Sequence, residues 1–487
     1  MKSSLQLAAL AAFCNYASAK EIEMDPEVDA ALFKSGARHQ QIMSTKETRG
    51  GEQQSFWASR REAGIFSPSQ YKSMSADVDV VPCTDGLAKL TPGDPNYEFK
   101  CSGIDLYDFQ SHFDLGSTVG EGAGSWGWTS PDGREFVAVA QQDGTSFSEV
   151  SAAGKLIYLG RLPQYPDAQP SLWREIKGYK SYVVIGSEAV DHGIQIFDMA
   201  KLLDADPAAP ATYSNEDDIY YWNELPTGRS HNVVTNEEKD YAVAVGAQPR
   251  TSACASGLIF IDLTDLENLS SPGCAAQDGY VHDAQCLVYR GPDAKYDGAD
   301  ICYGYNEDTL TIYDVTDKEN TTVISRISYE GASYTHQGWV LDTQNQHYLL
   351  LDDEYDEYDG AGLGSEGFPI TYIWDVSDLE NPKQTGYYQA SRKGIDHNQF
   401  VNNGLAFQSN YGGGLHILDV SSIPEDPTGK SVKEVGYFDI YPEDDEVEGG
   451  GEIEFVGTWS HYPYFKSGYI VINTIERGAY VVKRSEA

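Results

Sequence analysis

Hydrophobic and polar residues alternate over short distances from about residue 100 to the end of the chain. Runs rich in Val, Ile, Tyr and Phe are separated by Gly, Asp, Asn and Pro, and long amphipathic helical patterns are absent. Short β-branched and aromatic runs between turn residues predict strands. Residues 100–487 are too many for one ordinary β-sandwich, which indicates a repeated unit.

One repeated element is an apolar strand that ends in an acidic residue and, in most copies, a hydroxyl residue. Such an ending suits a tight turn, because these side chains bond the backbone just ahead of them. Six copies and a degenerate seventh lie at residues 147–151, 196–199, 261–264, 312–316, 373–377, 417–421 and 479–482.

A second element is a single His or Trp at the start of a strand, some 20 to 40 residues before each copy of the first. A period of about 50 residues with about four short strands is typical of a β-propeller. Seven members in each series predict an all-β fold with seven blades, against a solenoid or a string of sandwiches as the alternative. The second series is Trp126, Trp173, His231, His282, His336, His397 and His461.

The last unit stops after its third strand, which would leave an open sheet edge. Residues 104–109 precede the first full unit. We therefore expect them to supply the missing strand and to close the ring.

The N-terminal residues predict export. Lys2 precedes a short apolar run over residues 5–13, and Ala17-Ser18-Ala19 matches a small-x-small cleavage site. We expect residues 1–19 to be a signal peptide and residues 20–99 to be a mostly irregular or partly helical extension before the propeller at 100–487. No later segment has the length of a membrane span, so no membrane anchor is expected.

Within the extension, Asp25-Pro26-Glu27 predicts a helix start, whereas Gly36 and the pair Gly50-Gly51 are expected to interrupt any helix that begins there.

Cysteine usage agrees with export. Six cysteines remain after Cys14 leaves with the signal peptide, and six allow fifteen pairings. Mirror positions around turns favour Cys254 with Cys274 and Cys286 with Cys302, which leaves Cys83 with Cys101. The sequons at Asn268 and Asn320 predict an exported glycoprotein.

The formal net charge of −41 excludes nucleic acid as the default partner and argues against adsorption to anionic membranes. It indicates either solubility in an acidic or crowded exterior or cation binding by acidic clusters.

Several motifs in order resemble the choice-of-anchor B family, exported proteins with repeats named for Leu-Val-Ile-Val-Asp. The resemblance covers about residues 100–485 and implies an exported propeller without a defined reaction. Because no C-terminal anchor is visible here, free secretion is favoured over the cell surface. The motifs lie at residues 171–177, 230–234, 282–286, 306–310, 335–339 and 395–398.

Chemistry is predicted at the channel, because one position repeated on successive inner strands forms a ring. His231, His282, His336 and His397 would converge there and suit Zn²⁺, Mn²⁺ or Fe. The alternative is that these histidines are structural and tie one blade to the next by hydrogen bonds. The other candidate ligand-binding residues are Asp283, Gln337, Asp396, Trp126, Trp173 and His461.

Two acidic runs are weaker candidates for Ca²⁺. Residues 352–360 offer hard oxygen ligands without EF-hand spacing, so a solvated loop is favoured there, and more clearly so at 443–448.

Two functions stay open. The first is a secreted binding or scaffold propeller for an extracellular ligand, either a protein or a glycan. The second is a metal-dependent polysaccharide lyase or hydrolase that uses the same histidines. No nucleophile elbow, P-loop or dinucleotide fingerprint is present.

Overall fold

A computed structural model describes residues 37–169 and 171–485. The predicted signal peptide and the helix start at Asp25-Pro26-Glu27 lie outside the described residues. Within the described ranges, no helix combines the length and apolarity that a membrane span requires.

Strands are the main regular element of the described chain. In chain order these are β1 (Leu87–Lys89), β2 (Glu98–Ser102), β3 (Ile104–Ser111), β4 (Gly122–Thr129), β5 (Glu135–Gln141), β6 (Gly144–Val150), β7 (Leu156–Pro163), β8 (Arg174–Tyr179), β9 (Tyr182–Ser187), β10 (Ile194–Asp198), β11 (Ala211–Thr212), β12 (Ile219–Trp222), β13 (Asn232–Asn236), β14 (Tyr241–Val245), β15 (Leu258–Asp262), β16 (Cys274–Ala275), β17 (Asp283–Val288), β18 (Asp300–Tyr305), β19 (Leu310–Asp314), β20 (Thr322–Ile327), β21 (Thr335–Val340), β22 (Tyr348–Asp353), β23 (Ile370–Asp375), β24 (Lys383–Gln389), β25 (Gln399–Asn402), β26 (Leu405–Ser409), β27 (Leu415–Asp419), β28 (Lys433–Phe438), β29 (Thr458–Tyr462), β30 (Ile470–Thr474) and β31 (Gly478–Arg484).

Helices are few. In residues 37–169 and 171–485 the α-helices are α1 (Ala37–Glu62) and the single turn α2 (Asp356–Asp359), and the 3₁₀ turns are Pro68–Gln70, Pro95–Tyr97, Met199–Asp204, Leu266–Asn268, Gly362–Glu366 and Pro442–Asp444.

The strands form seven separate sheets, which confirms the predicted seven-bladed propeller. From the inside outwards the blades are β4 to β7 with β11; β8, β9, β10 and β12; β13 to β16; β17 to β20; β21 to β24; β25 to β28; and β29 to β31 with β3. The first strand of each blade lies closest to the first strands of its neighbours for most of the ring. These seven strands line the channel.

Strand β3 closes the ring, as predicted. It pairs antiparallel with β31, with Asp105 opposite Lys483 and Phe109 opposite Tyr480. The Phe109 and Tyr480 rings stack at 4.4 Å. The last blade therefore takes its outermost strand from the start of the propeller.

The core lies between successive blades. For example, Phe147 of the first blade stacks on Phe197 of the second, with ring centroids 4.3 Å apart, and Ile176 and Val183 pack in the same cluster. Strands covered on both faces read as continuous apolar runs, which is why Phe136 to Ala140 in β5 are all buried.

The extension packs against the propeller. Strands β1 and β2 add to the outside of the sixth blade, and Met74, Val81 and Phe99 fill the space between the sixth and seventh blades. Helix α1 runs through Gly50 and Gly51 without interruption, contrary to the expectation from sequence. The contacts of α1 with the propeller outweigh the cost of a helical glycine, roughly 1 kcal/mol each.

The three disulfides pair as predicted: Cys83 with Cys101, Cys254 with Cys274, and Cys286 with Cys302. Cys286 and Cys302 lie directly opposite each other on β17 and β18. Such bridges are typical of exported proteins.

Candidate metal centre

Four of the predicted histidines come together at one end of the channel. His231 and His282 directly precede inner strands β13 and β17, His336 is the second residue of β21, and His397 lies two residues before β25. Their rings follow one another around the channel, with centroid distances of 4.2 Å, 4.2 Å and 4.5 Å from His231 to His397. The repeated position at the strand start therefore does produce a cluster.

The Nδ1 atom of each imidazole faces an oxygen. In His282 and His397 it lies 2.9 Å and 2.7 Å from the main-chain carbonyls of His336 and Trp459. In His231 and His336 it faces the carboxylates of Glu188 at 2.6 Å and Asp352 at 3.2 Å. An oxygen partner at Nδ1 fixes the ring orientation and raises the basicity of Nε2, as in metal sites with carboxylate–histidine pairs.

A carboxylate from the acidic run 352–360, where the sequence favoured a solvated loop, joins the cluster. Glu354, just after β22, lies with Oε2 4.0 Å from His336 Nε2 and Oε1 3.8 Å from His397 Nε2. Ligand atoms of His282, His336 and Glu354 lie within 4.8 Å of one another. Ligands around a tetrahedral zinc ion are roughly 3.3 Å apart, given bonds of about 2.0 Å. Small side-chain shifts would thus bring the three onto one ion.

Burial favours the neutral form of two of these imidazoles. Burial lowers the pKa of His336 to about 4 and that of His397 well below its usual value. Neutral imidazole is the form that binds a metal ion. Two nitrogen ligands and one carboxylate form a donor set that suits Zn²⁺ and related ions.

The cluster lines a small chamber of about 150 Å³, together with Glu175, Asn398 and Trp459. Trp459 donates its indole N–H to Glu175 at 2.6 Å. In the first blade Gly124 leaves room for this carboxylate, because a Cβ there would lie 2.4 Å from Glu175 Oε2. Burial raises the pKa of Glu175. Carboxylates that line so small a chamber would be stabilised by a bound cation, because it would compensate their negative charge.

Helix α1 covers this chamber. Gly50, Gln53 and Gln54 line it, and the buried Trp57 packs on Trp173 at 5.4 Å and donates its indole N–H to the Phe455 carbonyl. Two arginines anchor the helix to propeller connections: Arg61 makes a bidentate ion pair with Glu121, and Arg49 pairs with Asp359 at 2.6 Å. We call this side of the channel the closed end.

The other side, where the inner strands finish, holds a cavity of about 960 Å³. Its lining includes Trp126, Trp128, Trp339 and Tyr464. The buried ammonium group of Lys177 lies 5.7 Å from the Trp126 ring. We call this side the open end.

The two predicted tryptophans therefore lie at opposite ends. Trp173 lines the chamber, whereas Trp126 is five residues into β4 and lines the open cavity. Their shared place in the sequence series does not correspond to one level of the channel.

His461 does not line the chamber. The seventh blade presents Trp459 there, and His461 lies two residues further along β29, a distance of about 6.6 Å. Its Nδ1 faces Ser409 Oγ at 2.7 Å, and burial lowers its pKa to about 3. His461 therefore joins the sixth and seventh blades by a hydrogen bond.

Asp283 and Gln337 are also buried inside the ring. Gln337 accepts a hydrogen bond from the Gln399 main chain of the next blade, and Asp283 accepts one from Ala284 N–H. The hydrogen bond between Gln337 and Gln399 joins two blades, which agrees with the alternative that polar residues at these positions tie neighbouring blades together. Asp396 has no such bond.

The acidic run 352–360 is not a solvated loop. Asp352, Asp353, Glu354, Asp356 and Glu357 are all buried, because the run turns inward after β22 to meet the histidines. In the second run, Asp444 is buried and its carboxylate approaches those of Asp439 and Asp445. Arg392 and Lys100 pair with Asp439 and Asp445.

No protein-family model matches the sequence, and a comparison with curated proteins finds no match. Many solved structures match in fold, among them the following two. A chain of "Crystal Structure of Mitotic Checkpoint Complex" is 9% identical with a TM-score of 0.43, over 72% of this chain and 87% of that one. "Crystal structure of Myceliophteria_thermophila Cps50 (Swd1) beta-propeller domain" is 11% identical with a TM-score of 0.42, over 72% and 94%. At these values neither likeness supports a statement about activity or partners.

Proposed function

We propose that this chain is a secreted binding propeller that holds a divalent transition-metal ion at His282, His336 and Glu354. His231 and His397 flank the ion and complete its surroundings. The observation that carries the proposal is the convergence of these side chains in one closed chamber, with the Nδ1 atoms of the imidazoles facing oxygens.

Zinc fits this donor set best, since it accepts imidazole and carboxylate together in tetrahedral geometry. Manganese is the second choice, because it accepts more oxygen ligands. The bound ion would compensate the charge of Glu354, which receives one hydrogen bond from Tyr411 at 2.6 Å.

Binding is favoured over polysaccharide cleavage by the size of the chamber. About 150 Å³ under helix α1 accommodates an ion and a few waters but not a sugar chain. A larger organic ligand fits only the open end, where aromatic side chains and Lys177 surround about 960 Å³. The ion would therefore serve to stabilise the ring, and the open end would receive the extracellular ligand.

Secretion and membership of the choice-of-anchor B family form part of the same proposal. Three disulfides support export. The sequon residues Asn268 and Asn320 are both exposed, as glycan attachment requires.

Elemental analysis of the purified full chain tests the metal proposal. We expect about one zinc or manganese ion per chain, lost in the double variant His282→Ala/His336→Ala. The matched control is His461→Ala, which removes a buried imidazole outside the chamber and should leave the metal content unchanged.

Two results would overturn the proposal. One is a wild-type chain that contains no transition metal after purification and takes up none by equilibrium dialysis. The other is equal metal loss in His461→Ala and in the chamber variant, which would show that any change of fold releases the ion.

A further inference from the structure

Lys177 lies at the floor of the open end, where its side chain crosses the channel. It is the fourth residue of β8 in the second blade, and only 6% of it is exposed. Its ammonium group lies 5.7 Å from the Trp126 ring of the first blade and 5.8 Å from the Phe400 ring of the sixth blade. Because Lys177 also lines the cavity of about 960 Å³, a ligand in this cavity can reach its side chain.

The ammonium group of Lys177 has no ion-pair partner. In the described part of the chain, no carboxylate oxygen lies within 4.0 Å of Nζ and no acceptor takes a hydrogen bond from it. Glu175 and Asp283 attract it electrostatically, but from beyond that distance. The carboxylates that line the cavity itself are exposed at its rim and are Glu237, Glu238 and Asp342. An anionic group at Nζ would therefore compensate a buried charge, which the aromatic rings do only in part.

Gln285 is a second donor in the same cavity. It is the third residue of β17 in the fourth blade, and 4% of it is exposed. Its Oε1 accepts a hydrogen bond from the Val340 N–H at 2.9 Å, which fixes the orientation of the amide. Among the described residues, no acceptor bonds its Nε2. Two buried donors, one of them charged, thus line one cavity, and such donors match the oxygens of a carboxylate.

Two indoles form the aromatic part of the cavity floor. Trp126 and Trp339 both line the cavity. Each meets the buried Phe400 edge-on, with ring centroids 5.7 Å and 5.1 Å apart. Because Phe400 supports both indoles, their positions are set by the protein itself. Pockets that combine aromatic walls with a few placed polar groups are typical of sites for small organic molecules, so this floor suits a ring that carries an acid group.

The charge of the whole chain limits the kind of anion. A formal net charge of −41 repels acidic polymers. A single carboxylate is repelled less, since salt screens charges beyond about 8–10 Å, and Lys177 attracts it at short range. We therefore expect one acid group per ligand.

We propose that the open end binds a small ring compound with one carboxylate, which pairs with Lys177 while the ring contacts Trp126 and Trp339. This inference rests on the part of the proposed function that assigns the extracellular ligand to the open end, and it does not depend on the metal ion. Two kinds of compound share this chemistry: an acidic sugar and a free aromatic acid.

Two matched pairs of probes test the inference on the full chain. Glucuronate is compared with glucose, and benzoate with benzyl alcohol, so that the members of each pair differ at the acid group. In saturation-transfer NMR titrations, at least one acid should bind about 10-fold more tightly than its neutral partner. A preference confined to glucuronate identifies an acidic sugar, whereas one confined to benzoate identifies an aromatic acid.

Lys177→Met keeps most of the alkyl chain and removes the charge. It should bind the acid no more tightly than the neutral partner. The matched control is Lys180→Met, which removes an exposed lysine that lines the same cavity and should keep the preference. Circular dichroism checks that both variants are folded, and if Lys177→Met is not, the comparison of acid and neutral probes in wild type still decides.

Three results would overturn the inference: wild type binds neither acid, it binds the neutral partners as tightly as the acids, or a folded Lys177→Met keeps the preference. The double variant His282→Ala/His336→Ala separates this inference from the metal proposal, because it should bind the acid as wild type does. Acid binding by a wild-type chain without metal would leave the carboxylate site standing alone. Metal uptake without acid binding would leave only the metal centre.

Discussion

The same seven inner strands form both ends of the channel, yet the two ends differ in chemistry. Where the strands start, His, Glu and Tyr side chains surround a chamber of about 150 Å³ under helix α1. Where they finish, mainly Trp and Tyr side chains surround an open cavity of about 960 Å³. One end suits an ion and the other an organic ligand.

The connections between strands explain the difference. Each inner strand starts after the connection from the previous blade, such as residues 276–282, 390–398 and 439–457, and the loop 354–369 reaches the same side. At the other side, several inner strands are followed by short hairpin turns, such as residues 180–181 and 403–404. Longer connections carry buried acids and support a covering helix, so the polar chemistry is concentrated at the closed end.

The largest expected effect of a single substitution is in helix α1, which covers the closed end. Trp57→Ala removes a fully buried indole that packs on Trp173 and bonds the Phe455 carbonyl. We expect the free energy of unfolding to fall by about 3–5 kcal/mol, measured by urea denaturation. Because α1 would then detach more easily, exchange of the proposed metal ion with a chelator should also be faster.

Trp339→Ala is the matched change at the open end. Trp339 is only half-buried against Phe400, so its loss should cost less than about 2 kcal/mol and leave metal exchange unchanged. If the two variants lost the same unfolding free energy and exchanged metal at the same rate, α1 would not be what keeps the closed end covered.

The next largest effect is a pH dependence that belongs to the closed end. Glu476, in the turn between β30 and β31, lies 3.9 Å from Arg60 of α1, and burial raises its pKa to about 7. A raised pKa means that the folded state prefers the neutral acid. Its contribution to stability is complete below the unfolded pKa and is lost as the pH rises towards 7.

Glu476→Gln should remove this dependence while keeping an oxygen for the Gly457 N–H. Relative to wild type, the variant should gain up to about 3 kcal/mol of unfolding free energy between pH values of about 4.5 and 7. Parallel stability curves for the two proteins across that window would contradict the assignment.

The seven-bladed propeller could be predicted from the sequence, because each strand has a local pattern of apolar and turn residues. Apolar runs ending in acid and hydroxyl residues marked the blades, and residues 104–109 were recognisable as the closing strand. The histidines at strand starts were found for the same reason: a fixed place in a repeat becomes a fixed place in the channel. Cys286 and Cys302 pair as predicted because the neighbouring strands β17 and β18 bring them together.

Features that depend on contacts between distant segments were missed. Glu354 was hidden in an acidic run whose composition indicates a solvated loop, and its burial depends on the position of the histidines. Helix α1 contains two glycines, and its stability comes from Trp57 and the arginines that contact the propeller. Trp126 and His461 share the sequence series but lie deeper along their strands, as the fifth residue of β4 and the fourth residue of β29.

The last comparison removes one tyrosine hydroxyl at each end. Tyr411 donates to Glu354 Oε1 at 2.6 Å in the closed end, and Tyr464 donates to the Val401 carbonyl at 3.2 Å in the open end. Tyr411→Phe leaves a buried carboxylate oxygen without its donor and should cost about 1.5–3 kcal/mol, whereas Tyr464→Phe should cost about 0.5–1.5 kcal/mol. Because Tyr411 also orients Glu354, which we propose as a metal ligand, its loss should weaken metal affinity by about 10- to 100-fold, as measured by competition with a chromogenic chelator. Tyr464→Phe should leave that affinity unchanged, so equal metal affinity in both variants would separate Glu354 from the ion and restrict the metal centre to its histidines.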